Sequence, residues 1–154
     1  MLPVKFLSQL KLYFPLLMLF SLMSCTKENA PETSNFVQDD TLCQFNLGYC
    51  SKNVAATNLQ LLITPFNTPS EKPLNISIIS SKEIDDLKVR IEGRDMFMGV
   101  IPVNMNKAGE NIYKGELIYG SCSSDYMVWR AFVSFTQKGE TKVAIFDFLA
   151  DNQV

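Results

Sequence analysis

The sequence predicts an all-β domain built as a single antiparallel sandwich, and three observations predict it. Apolar and polar residues alternate with a period of two along several short runs. The runs are rich in Ile, Val and aromatic residues, which suit a pleated, half-buried surface. Turn residues interrupt them about every 8 to 12 positions. Seven such runs follow Leu42, a pattern matching a sandwich of the immunoglobulin-like kind.

The first clear run, Leu59 to Thr64 (LQLLIT), is ended by Pro65 and Pro69. Leu74 to Ser80 (LNISIIS) puts Leu74, Ile76 and Ile78 on one face. Leu87 to Glu92 (LKVRIE) does the same with Leu87, Val89 and Ile91, leaving Lys88, Arg90 and Glu92 toward water, where their charges could guard a sheet edge. Met98 to Met105 reads as one strand, with Pro102 pointing to an edge or a bulge. Ile112 to Tyr119 follows the turn signal Ala108-Gly109. Met127 to Thr136 lines up Met127, Trp129, Ala131, Val133 and Phe135, and Lys138-Gly139 turns it into Val143 to Phe148 as a hairpin. Only Ser81 to Asp86 hints at helix.

Ahead of the domain, residues 1–24 carry Lys5 and Lys11 and then an apolar core from Leu12 to Met23. That core suits an export signal and is short for a membrane span, which needs about 20 apolar residues. It ends in Leu22-Met23-Ser24-Cys25, which resembles the lipobox of bacterial lipoproteins. The resemblance implies cleavage before Cys25, attachment of diacylglycerol and a further acyl chain such as palmitate to that cysteine, and a place in the cell envelope facing the periplasm. In a Gram-negative cell, Thr26 after the cysteine favours the outer membrane. The expected organisation is therefore a signal peptide over 1–24, the lipidated cysteine and a flexible spacer over 25–41, and the sandwich over 42–154.

Composition narrows the function. Removing residues 1–24 takes away two lysines and no acid, leaving 12 basic and 16 acidic residues, a formal net charge of −4. No basic stripe remains to neutralise phosphates, so nucleic acid is not an expected partner. The chain has no histidine, which removes the usual general base, the Ser-His-Asp and Cys-His arrangements and the usual zinc hydrolase ligands. An enzyme is not expected. Ser123-Ser124-Asp125 lacks a base, and Asp85-Asp86 reads as a surface acidic pair. Metal chemistry would have to run through Cys, Met, Asp or Glu.

Cys43 and Cys50 flank QFNLGY, and a structural disulfide closing this loop is the favoured reading, with metal ligation or a redox pair as alternatives. Cys122 lies in the polar stretch GSCSSD, as either a buried small residue or a soft metal ligand. Met96 and Met98, in GRDMFMG, project to one side of an extended segment and offer two thioethers. Thioether and thiolate sulfur prefer Cu(I) to hard cations. Met127 and Met105 are further possible donors, the plain alternative being that the methionines fill the core. Arg94-Asp95 and Arg130 read as solvated or loop-fixing ion pairs.

The block from Val89 through Phe135, with its Met-rich turn, Ile112-Tyr113-Lys114-Gly115-Glu116-Leu117 and Met127-Val128-Trp129-Arg130, resembles the FixH and YtkA-like group of exported immunoglobulin-like domains. The resemblance covers about a third of the chain. It implies copper handling or cytochrome oxidase assembly, with a copper protein or an oxidase-assembly factor as partner. The sequence departs from the group in lacking the histidine often found near the Met turn. It also resembles lipoproteins with GRDMFMG and GSCS motifs, which implies no activity. The expected function is thus a membrane-anchored envelope lipoprotein binding or delivering Cu(I) through Met96, Met98, Cys122 and Met127. The alternative is a non-catalytic structural or protein-interaction lipoprotein without metal, docking through Phe97 and the methionines.

Overall fold

A computed structural model describes residues 39–121 and 126–152. The leader, Cys25, Thr26, the spacer through residue 38 and Cys122 lie outside the described residues. Among the described residues nine strands form: β1 (Cys50–Val54), β2 (Thr57–Thr64), β3 (Leu74–Ser80), β4 (Asp85–Gly93), β5 (Val100–Val103), β6 (Met105–Gly109), β7 (Ile112–Leu117), β8 (Val128–Gln137) and β9 (Glu140–Leu149). They make a five-stranded sheet, β1-β2-β3-β7-β6, and a four-stranded sheet, β5-β4-β8-β9, with antiparallel pairing throughout. The domain is an all-β sandwich of the immunoglobulin-like kind, as the alternation predicts.

The inner faces supply the core. Leu59, Leu61 and Ile63 of β2 and Leu74, Ile76 and Ile78 of β3 are buried against Val89 and Ile91 of β4 and Ala131, Val133 and Phe135 of β8. Each large apolar side chain so buried contributes on the order of 2 kcal/mol. The β8–β9 hairpin turns at Lys138 and Gly139, whose φ values of 52° and 79° meet the demand of a two-residue hairpin turn for positive φ at both positions.

Four expectations change. The stretch from Met98 to Met105 is not one strand: β5 closes the edge of one sheet and β6 that of the other, with Asn104 between them. Pro102 lies on β5, where a strand edge tolerates the missing N–H. Ser81 and Lys82 form a bend and Asp85 and Asp86 already belong to β4, so the segment from Ser81 to Asp86 holds no helix. Strand β1 was not expected, because none of its residues is fully buried and no apolar alternation marks it. Finally, β4 lies inside its sheet between β5 and β8, so its charges guard no edge.

The Cys43–Cys50 disulfide is formed and spans a sequence separation of 7. It encloses a short 3-10 turn at Phe45–Leu47, whose Phe45 ring packs 5.9 Å from that of Phe148. Just before it, the Cys43 amide donates to the Asp147 carbonyl and Leu42 forms a parallel bridge with Asp147, which fastens the chain to the edge of β9.

Candidate functional site

Strands β2, β4, β7 and β9 all run toward the same end of the sandwich, so their following segments gather there. Backbone hydrogen bonds tie these segments together. The Glu71 amide donates to the Tyr119 carbonyl, Arg94 to Val128, Ala150 to Met127 and Asp151 to Thr68. The sequence motif GRDMFMG lies in the β4–β5 connection, and the β7–β8 connection leads to Met127.

Met127 is 7% exposed, on the inner face two residues before Trp129. Its thioether does not lie apart from the Met96 segment. A β-carbon placed on Gly93 would collide with the Met96 carbonyl and lie 2.8 Å from Met127 Cε. The end of the Met127 side chain and the backbone of Met96 therefore converge over one small position. Gly93 pairs with Trp129 across the strands, so the β4–β8 register sets this convergence. Met96 itself is 48% exposed, and Met98 is half-buried against the core. Met105 opens β6 and packs on the core away from these connections. Of the four expected soft donors, the structure brings Met127 to the connection bearing Met96 and Met98, while Cys122 is beyond the described residues. Among those residues no group of three or more His, Cys, Asp or Glu could hold a metal ion.

Two aromatic residues floor this end. Tyr119 and Trp129 stack with ring centroids 4.8 Å apart, and the Tyr119 hydroxyl donates to the Thr68 carbonyl. Burial pushes the Tyr119 phenol well above its ordinary pKa, so it stays a neutral donor. Trp129 is 1% exposed, and its Nε1–H is the one buried side-chain polar group without a partner among the described residues. An orphaned buried donor costs about 1–3 kcal/mol.

A charged network braces the base of the Met-bearing connection. Arg94 pairs with Asp39 at 2.7 Å and with Asp95 at 3.1 Å, and approaches Asp147 at 3.8 Å. Arg130 binds Asp147 in bidentate fashion, at 2.7 and 2.8 Å. The Thr41 hydroxyl and the Arg94 guanidinium hold the Asp39 carboxyl at about 2, below its ordinary 3.8. The Asp147 carboxylate raises Arg130 further above its usual value. Arg94 and Arg130 thus fix the loop base, as their sequence context implies, but sequence reasoning missed Asp39, Asp147 and Gly93. An acid amid the apolar run VAIFDF was a signal for Asp147. Gly93 at a strand end was a signal of close backbone approach. Nothing local marked Asp39.

No protein-family model matches the chain, and no curated protein matches it. Among solved structures, a DUF4785 family protein from Legionella pneumophila subsp. pneumophila str. Philadelphia 1 is similar, with 16% identity and a TM-score of 0.46. The likeness covers 61% of this chain and 28% of that one, little more than a quarter of that protein's length.

Proposed function

We propose that the chain is a membrane-anchored envelope lipoprotein that binds Cu(I) as cargo and passes it on, using Met96, Met98, Met127 and Cys122. The observation that carries the reading is the meeting of Met127 Cε with the Met96 backbone over Gly93. It joins two chain segments that the sequence separates, and both bear soft sulfur. Thioethers hold Cu(I) without competing strongly for zinc or magnesium, and a thiolate adds charge and strength. Met96 is half-exposed and Met127 buried, so the two residues reach from the surface to the core side, an arrangement suited to exchange with a partner. Export and lipidation at Cys25 rest on the leader and the Leu22-Met23-Ser24-Cys25 motif. The reading includes no catalytic step, in keeping with a chain that has no histidine, the commonest general base near neutral pH.

The test is anaerobic Cu(I) titration of the mature chain against a competing chelator. It is repeated on Met96→Leu/Met98→Leu, Met127→Leu and Cys122→Ser. Each variant is expected to lose at least about tenfold in affinity, or about 1.4 kcal/mol. Wild-type affinity in all three would overturn the assignment and leave docking through Phe97 as the role of this end.

A further inference from the structure

The two ends of the sandwich differ in kind. At the end bearing GRDMFMG, large apolar side chains stand in water on three separate connections. Phe66 is 46% exposed, Phe97 82% and Ile118 57%, with Met96 and Tyr126 exposed beside them. The opposite end carries Lys82, Glu83, Asp85, Asp86, Lys138 and Glu140, and among the described residues its connections bear no exposed large hydrophobic side chain, Val143 standing on the face of β9. Apolar side chains gathered at one end mark a surface that meets something less polar than water.

The geometry points to the bilayer itself as the occupant. We infer that Phe97, Phe66 and Ile118 seat in the membrane interface to which Cys25 is fastened, an inference that rests on the proposed lipidation. The chain joins the domain at Asp39, whose carboxylate is bound to Arg94, the residue that opens the Phe97-bearing connection. Asp39, the first described residue, therefore lies beside the apolar end. Asp39 is fourteen positions after Cys25, which limits the reach between them to about 50 Å.

Held that close, the domain needs only a weak apolar contact to be oriented, because tethering makes insertion an intramolecular event. Phe and Tyr at the rim fit the amphipathic interfacial zone, and fluid lipid accommodates side chains spread over separate loops without a matched partner surface. The formal net charge of −4 on the mature chain makes attraction to anionic headgroups a poor alternative. The contact is apolar, so added salt should leave it in place.

The full lipidated chain is reconstituted in protein-free vesicles of phosphatidylethanolamine and phosphatidylglycerol. In a Cys122→Ser background, a nitroxide is placed through Phe97→Cys or, as the control at the far end, Lys138→Cys. Flotation is read first. Failure to float with the vesicles strikes the lipidation reading and this inference together. In floated protein, the label at position 97 is expected to lose relaxation by a water-soluble nickel chelate and gain relaxation by membrane-dissolved oxygen. The label at 138 should behave oppositely, and added salt should change neither. Equal chelate access at the two positions overturns the inference alone. So does shielding at 97 that appears only when envelope proteins are added, which would assign the surface to a protein partner.

Discussion

Replacing Gly93 with alanine tests how the candidate site is assembled. Gly93 lies outside the left-handed region, so alanine there meets no backbone penalty. What it meets is crowding: its β-carbon collides with the Met96 carbonyl and lies 2.8 Å from Met127 Cε. The methyl end of Met127 can swing away, but the carbonyl moves only if the whole β4–β5 connection moves with it. Overpacking of this kind costs about 1–3 kcal/mol, and the backbone clash places Gly93→Ala near 2. With a urea slope near 1.5 kcal/mol/M for a domain of this size, the unfolding midpoint should fall by about 1 M or more. In the same variant Met127 and the Met96 segment are pushed apart, so Cu(I) affinity should fall by at least about tenfold. X-ray absorption should then count fewer sulfur neighbours per copper, as in Met127→Leu. A variant with unchanged midpoint, affinity and sulfur count would refute both the close packing over Gly93 and its role in gathering the donors.

Four further outcomes are expected. Cys43→Ser/Cys50→Ser should lower stability by about 2.5 kcal/mol in urea titration, the value chain entropy gives for so short a loop; a loss under about 0.5 kcal/mol would show the bridge to be dispensable. The Asp39 carboxyl is depressed in the folded state, so its stabilising contribution is present above 3.8 and disappears as pH falls to about 2. Asp39→Asn should flatten the acid slope of stability across that window, and an unaltered slope would show that Thr41 and Arg94 do not hold the carboxyl down. Asp147→Ala strands Arg130 and should cost about 2 kcal/mol, while Arg130→Met/Asp147→Leu should recover much of it; equal losses in both would contradict that account. Trp129 is the chain's one tryptophan, so its emission should be blue-shifted and quenched by Cu(I) up to one equivalent. Lack of quenching would place the metal away from this end.

What the sequence disclosed followed from local chemistry. Strands β2, β3, β4, β8 and β9 announce themselves because one face of each is apolar, and the Lys138-Gly139 hairpin because its turn needs positive φ. Strand β1 escaped notice since its CSKNV residues pair with β2 but leave no residue fully buried. The division between β5 and β6 was hidden because the alternation runs on through Asn104 while the chain changes sheets. At the candidate site, Met96 and Met98 could be read as a pair from spacing alone. Their meeting with Met127 could not, since it depends on the pairing of Gly93 with Trp129 across the β4–β8 register. The Asp39–Arg94 ion pair escaped for a similar reason: an acid in a polar stretch looks solvated until a strand end 55 residues away presents a guanidinium.

The fastening of residues 42 and 43 to β9, followed at once by the disulfide to β1, has a mechanical consequence. A pull on the chain from its N-terminal side does not peel a hairpin open one hydrogen bond at a time. It is caught at the Asp147 carbonyl and then shunted through a covalent cross-link into β1, bypassing the 3-10 turn. Reduction of that link would lengthen the free leash and transfer the load to the weaker backbone contacts, making the domain's resistance to stretching depend on the thiol balance around it.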